Sequence, residues 1–212
     1  MKFFLMALSL FPATVLAADA NTPHEHQGII KAYTGAPPAY KLTRPELMKL
    51  RKGEPVLKQQ HDGDAGGRGV AVFRVNASRD TVMSVILDYP QYINWLDNLP
   101  VCEIYSTKGD TVFVRFVTKA MAMNVEWFIE HTVNREDYWV TWTLDYRRNS
   151  DLDDSVGYWA LKEVAGQPGV TQVEYSVDIR LKGWVPGFVK KILVNQGLQD
   201  ATSWVKVQSE SR

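Results

Sequence analysis

Between Val101 and Arg180 the chain breaks into six runs with strand character: Val101–Ser106, Thr111–Val117, Asn124–Val133, Tyr138–Tyr146, Gly157–Val164 and Thr171–Arg180. Short polar turns separate most of them, "TKGD", "NRED" and "GQPG" among them, and such spacing reads as hairpins. Antiparallel strands joined this way make a sheet that buries one face and needs a cover for it. The helix pattern that closes the chain is the only element long enough. Upstream, "VAVFRVNA" from Val70 reads as one more strand. A helix capped by Ser78 follows, then a short helix with Pro90 in its first turn. The expected class is α+β: a curved antiparallel sheet of about seven strands around a long C-terminal helix, with two short helices after the first strand.

That last helix is uneven. Pro186 suits its first turn. One side carries Val185, Phe188, Val189, Ile192 and Leu193, then Gly197 and Ala201, then Trp204 and Val205. A glycine inside a helix costs about 1 kcal/mol relative to alanine, so Gly197 needs a reason. Close packing on a bulky sheet residue is one, and volume left for a ligand is another.

Strand alternation sets Val125, Trp127, Ile129 and His131 on one face, with Val140, Trp142, Leu144 and Tyr146 beside them. Trp159 and Tyr175 join this face, while Thr141, Thr143 and Asp145 suit solvent. Aromatic stripes serve more often as core than as ligand cage. A pocket is itself mostly apolar with a few polar groups, so composition does not separate the two. The polar candidates are Arg115, His131 and Tyr175. Arg115 either faces solvent or, pointing inward, needs a carboxylate or a lipid headgroup. His131 either bonds a ligand oxygen or is a satisfied structural histidine.

Several functions lack support. With 24 basic and 24 acidic residues the net charge is zero, which removes the basic footprint of a broad nucleic-acid binder. There is no Gly-x-Ser-x-Gly turn, no His-Glu-x-x-His and no dinucleotide fingerprint, so no catalytic residue and no cofactor is assigned. Cys102 is the sole cysteine, and burial as a small apolar side chain is the expectation. His24 and His26 could join His61 around a metal, but they sit on a tail without fixed geometry, and no metal site is assigned. "DLDDSVG" lacks the glycine and the closing glutamate of a calcium loop. The 147–155 connection therefore reads as a solvated loop.

Residues 1–20 have the form of a secretory signal peptide: Lys2, an apolar run from Phe3 to Leu16, then Ala17, Ala18 and Ala20. Cleavage after Ala18 or Ala20 fits, giving a periplasmic or secreted protein. Residues 21–66 read as an extension ending in a glycine-rich linker, and 67–212 as the domain. In the extension, Thr43 and Glu46 have capping-box spacing ahead of a short helix that Gly53 ends.

"FRVNASRDTVMSVILDYPQYINWL", residues 73–96, resembles the opening of the helix-grip superfamily: START lipid-transfer domains, coenzyme Q-binding proteins and aromatic polyketide cyclases. "DIRLKGWVPGFVKKILVNQ", residues 178–196, resembles the end of a START domain. The likeness spans about 67–210. It implies a cavity between sheet and last helix that holds one lipid or other hydrophobic small molecule. Its lining would come from Arg115, Trp127, Ile129, His131, Trp142, Trp159, Tyr175, Ile192 and Gly197. The 147–155 loop, with Asp151 and Asp153, would gate entry against Trp184 and Phe188. Those two aromatics, next to Lys190 and Lys191, could touch a membrane surface. The implied function is binding, with transfer between membranes. Two other readings stay open: a cyclase- or hydratase-type enzyme, and a ligand-free module that binds a protein partner.

Overall fold

The structure, a computed structural model, describes residues 18–62, 66–120, 123–183 and 197–212. Helix α1 (Arg44–Arg51) precedes strands β1 (Val56–Asp62) and β2 (Gly66–Val75). Helix α2 (Arg79–Ile86), a 3-10 turn (Tyr89–Gln91) and helix α3 (Tyr92–Trp95) lead into the meander. Its strands are β3 (Val101–Lys108), β4 (Thr111–Ala120), β5 (Met123–Asn134), β6 (Trp139–Leu144), β7 (Leu152–Glu163) and β8 (Thr171–Leu181). Helix α4 (Gly197–Glu210) comes last. Among the described residues no helix is long and apolar enough to cross a membrane.

One sheet holds all eight strands, in the order β1-β2-β8-β7-β6-β5-β4-β3, and every neighbouring pair is antiparallel. The expected strands are all present. The eighth is β1, in the segment read from sequence as extension and linker. Val56 to Asp62 pair with Val72 to Gly66, so the described residues of the glycine-rich stretch belong to the ladder. The sequence VLKQQHD lacks clean alternation because β1 is an edge strand with most side chains in solvent.

The inner face packs against α2, α3 and α4. Ser78 caps α2 by accepting from the Thr81 N–H at 3.1 Å. Val82, Met83, Val85 and Ile86 of α2 are buried in the same core as Phe73 and Val75. Helix α4 lies along β2. Lys206 Nζ donates to Arg74 O at 3.3 Å, and Glu210 Oε1 accepts from the Asn76 N–H at 2.8 Å. At the other end a Cβ on Gly69 would stand 2.9 Å from Leu198 Cδ1. A glycine that admits the helix is thus on the sheet.

The outer face is covered by the N-terminal segment. Asp19 and Asn149 exchange two backbone hydrogen bonds, at 2.9 and 3.0 Å. Further on, Ile29 and Ile30 N–H both donate to Asp154 Oδ2 at 2.7 Å, and Tyr40 N–H donates to Glu174 Oε2 at 3.0 Å. Beyond Tyr40, Leu50 of α1 forms a second, smaller core with Val56, Val70 and Val72. Asp154 and Glu174 are 0% and 1% exposed. Buried carboxylates survive only when fully hydrogen-bonded or paired. Asp154 also accepts from Tyr146 OH (2.6 Å) and Ser155 N–H (2.8 Å), and Glu174 from Lys162 (3.0 Å) and Gln172 (3.1 Å).

Gly157 faces Trp142 across the β6–β7 pair. A Cβ there would lie 2.1 Å from Trp142 Cζ2 and 2.4 Å from Ser176 O, so glycine is what lets the indole lie across β7. Gly157→Ala should displace Trp142 and cost about 1–3 kcal/mol, the usual range for overpacking. Chemical denaturation followed by tryptophan fluorescence checks this, and an unchanged midpoint would contradict it.

Candidate ligand-binding site

The inner face carries a closed circuit of rings drawn from seven places in the fold. His131 on β5 lies 6.0 Å, centroid to centroid, from Trp142 on β6. Trp142 is 5.7 Å from Tyr175 on β8, which is 4.4 Å from Trp159 on β7. Trp159 meets Trp204 of α4 at 6.4 Å, and Trp204 meets Tyr92 of α3 at 4.6 Å. Tyr92 to Tyr89 (5.5 Å) and Tyr89 to His131 (5.0 Å) close the loop. Phe116 stacks on Trp127 at 5.6 Å beside it.

The two ends of this face differ. Where α2 and the end of α4 pack, Val75, Leu161, Val173 and Val205 are fully buried. At the opposite end Trp127, Tyr175, Val177, Ile179 and Leu181 are only partly buried. The result is an apolar floor, fully buried at one end and partly buried at the other.

Among the described residues, two polar atoms in the circuit have no partner. Tyr89 OH and His131 Nδ1 are both buried and unbonded. Tyr92 OH, by contrast, donates to Ile86 O at 2.5 Å. Burial drives the His131 pKa from 6.5 down to about 3, only partly offset by the Val112 backbone. Burial also pushes the Tyr89, Tyr92 and Cys102 pKa values up. At neutral pH every one of these groups is uncharged. Cys102 is buried, as its sequence context suggests.

The structure gathers Trp127, Ile129, His131, Trp142, Trp159 and Tyr175 on the inner face. Arg115 does not join them. It lies on the outer face, where its Nε donates to Glu126 Oε1 at 2.7 Å and its Nη1 is 3.6 Å from Glu103. The reason is register: Val114 and Phe116 take the inward positions of β4. Trp184, Phe188 and Ile192 lie outside the described residues, as does the expected start of the last helix. Gly197 opens the described part of α4, and its surroundings are likewise outside the described side chains.

The 147–155 segment is no solvated loop. Strand β7 begins at Leu152, and the acidic side chains before and within it are anchors. Asp151 Oδ2 accepts from Glu126 N–H at 2.7 Å and Oδ1 from Ala18 N–H at 2.9 Å. Asp145 takes Tyr105 OH (2.7 Å) and Arg147 Nε (2.7 Å). Asp153 holds the histidines of the N-terminal segment. His24 Nε2 donates to its carbonyl at 2.8 Å and His26 Nε2 to its Oδ1 at 3.2 Å. Each Nδ1 accepts a backbone N–H, from Ser150 (3.5 Å) and Gly28 (3.0 Å) respectively. The donor atoms of His24, His26 and Asp153 lie within 4.8 Å of one another, yet all four ring nitrogens already have protein partners. The cluster is a clamp, and Asp151 and Asp153 are corrected from gate to anchor.

Phe116, Tyr89, Tyr92 and Trp95 were not assigned to the site from sequence. The signal for the last three was there, since spacing of three residues puts them on one side of a short helix.

The family model described as polyketide cyclase / dehydrase and lipid transport matches residues 68–204. The chain belongs to this family. Its fold is the START-like helix grip. Among solved structures, the Streptomyces aromatase/cyclase Zhui superposes with a TM-score of 0.59 at 14% identity, covering 73% of this chain and 96% of its own. The STAR-related lipid transfer protein of Xanthomonas axonopodis gives 0.56 at 14% identity, over 73% and 92%. Human StAR-related lipid transfer protein 5 gives 0.54 at 13% identity, over 79% and 92%. No curated protein matches the sequence. At these identities the superpositions establish the fold of the START-like domain, within a family that holds both binding proteins and aromatase/cyclases.

A buried neutral histidine leaves a pH signature. Its folded pKa lies below the unfolded value, so its contribution is fully present above about 6.5 and is lost as pH falls toward about 3. The loss approaches ~1.4 kcal/mol per pH unit at its steepest. Between pH 6.5 and 4 the wild type should lose stability more steeply than His131→Leu, which keeps the depressed His24. NMR of the His131 ring should show no titration from pH 8 to 5, and an inflection near 6.5 would contradict its burial.

Proposed function

We propose that the protein binds one hydrophobic small molecule, a membrane lipid, against the inner face, and transfers it between membranes after export to the periplasm. The observation that carries this reading is the aromatic and apolar inner face, fully buried at one end and partly buried at the other. Family membership agrees with it. Apolar burial contributes about 0.8 kcal/mol per CH₂ whether the chain lies in a bilayer or a protein cavity. Exchange between the two is then nearly isoenergetic, and its rate depends on an opening step. With Asp151 and Asp153 serving as anchors, the gate and membrane contact fall to Trp184 and Phe188, which follow β8 in the sequence.

The polar end of the ligand meets Tyr89 OH and His131 Nδ1. With His131 neutral, one ring nitrogen carries the proton and the other accepts, and Nδ1 takes the acceptor role when the proton is on Nε2. A ligand hydroxyl can donate to it while accepting from Tyr89, which removes both unsatisfied groups. Acid–base catalysis is poorly served here. A base with a pKa of about 3 takes protons weakly at neutral pH.

Native mass spectrometry of protein purified from its own envelope, followed by solvent extraction, is the direct test. A stoichiometric, unmodified lipid is expected. A chemically converted ligand would favour the cyclase- or hydratase-type enzyme. An empty protein that takes up no lipid from vesicles would favour a partner-binding module. Tyr89→Phe with His131→Leu should weaken retention of a hydroxyl-bearing lipid about tenfold. Trp184→Ala with Phe188→Ala should slow transfer between vesicles while the fold survives.

A further inference from the structure

Residues 18–20 are built into the fold. Ala18 N–H donates to Asp151 Oδ1 at 2.9 Å, and Asp151 is fixed in turn by β5. Its Oδ2 accepts from Glu126 N–H at 2.7 Å and its own N–H donates to Glu126 O at 2.8 Å. The next residue, Asp19, makes the two-bond bridge to buried Asn149, and Arg148 Nη1 donates to Ala20 O at 3.2 Å. The Asp19 carboxylate accepts from Asn21 N–H (2.9 Å) and Thr22 OH (2.5 Å).

We propose that export processing cuts the chain after Ala17, and that the α-ammonium so formed on Ala18 locks onto Asp151. The proposal rests on the exported reading and refines it. Val15-Leu16-Ala17 presents the compact −3 and small −1 residues of a signal-peptidase site. Cutting after Ala20 would delete the Asp19–Asn149 bridge. Cutting after Ala18 would leave Asp151 without this donor, because Asp19 N–H already bonds Asn149 O. Only a cut after Ala17 keeps every bond and places a charge where one is answered. Hydrolysis of the Ala17–Ala18 amide consumes one water and leaves a carboxylate on Ala17 and an ammonium on Ala18. An amide N–H···carboxylate bond becomes an ammonium–carboxylate ion pair, with charge on both partners. The leader's removal thereby completes the outer face at the turn between β6 and β7.

The test has two parts. The full-length chain is expressed in a Gram-negative host and the intact mass of the protein recovered from its periplasm is measured. A chain beginning at Ala18 is expected. One beginning at Asp19 or Asn21 overturns the lock but leaves export standing, and one that keeps Met1 overturns both. Second, thermal unfolding compares the Ala18 chain with its Nα-acetylated form and with a chain carrying one glycine before Ala18. Each should unfold about 2–4 °C lower, and the difference should vanish in Asp151→Asn. Equal midpoints for the three chains, or a difference that survives Asp151→Asn, overturns the lock. Should Asp151→Asn fail to fold, the acetylated and glycine-extended chains decide between the same outcomes.

Discussion

Everything in this structure depends on the antiparallel seam between β2 and β8, which runs from the Gly66–Arg180 pair to Val75–Thr171. The first strand of the matched domain and its last become neighbours there. The meander between them has no choice but to turn round and fill one side of the sheet, while β1 adds to the other. The seam also sets where the chain goes next. Leaving β8 beside β2, it returns as α4 along β2, with Leu198 at Gly69 and Lys206 at Arg74. The covering helix lies over the inner face because its attachment point is fixed by the seam.

The two faces are satisfied by different physics. The inner face is covered by apolar and aromatic groups whose contacts need little directionality. The outer face is held by carboxylates at fixed geometry, Asp154 and Glu174 above all, each taking several donors. The N-terminal segment is therefore a layer of the fold. It ties the β6–β7 turn to β8 and, through α1, to the β1–β2 edge. This bracing holds the outer face by directional bonds, where the inner face relies on apolar contact.

Burial decides the chemistry of the ring circuit. An exposed histidine would exchange protons near neutrality, whereas His131, set among Tyr89, Phe116 and Trp142, stays neutral over the whole physiological range. The same desolvation keeps Tyr89 and Tyr92 protonated. Among uncharged polar atoms on an aromatic floor, a phosphate or a carboxylate would lie unpaired in a medium of low dielectric, whereas a neutral hydroxyl would not.

Much of this was legible in the sequence because period and punctuation are local. Alternation placed Trp127, Ile129 and His131 on one face and Trp142 and Leu144 beside them. Ser78 and Thr43 marked helix starts, and the turns marked the hairpins. Three things were not legible. The strand character of Val56–Asp62 hides because an edge strand in solvent needs no apolar alternation. The inward or outward direction of Arg115 depends on register against β5, which pairs it with Glu126. The roles of Asp151, Asp153 and Asp154 depend on a segment more than a hundred residues away, and a run of acids looks the same whether water or backbone N–H groups satisfy it. The sequence by itself determined which elements form and which side chains share a face, since those follow from neighbours a few residues apart. Only the tertiary structure decided that the outer face is braced, that the ring circuit closes and that Asp151 meets Ala18. Each of those needs partners brought together by the seam of β2 and β8.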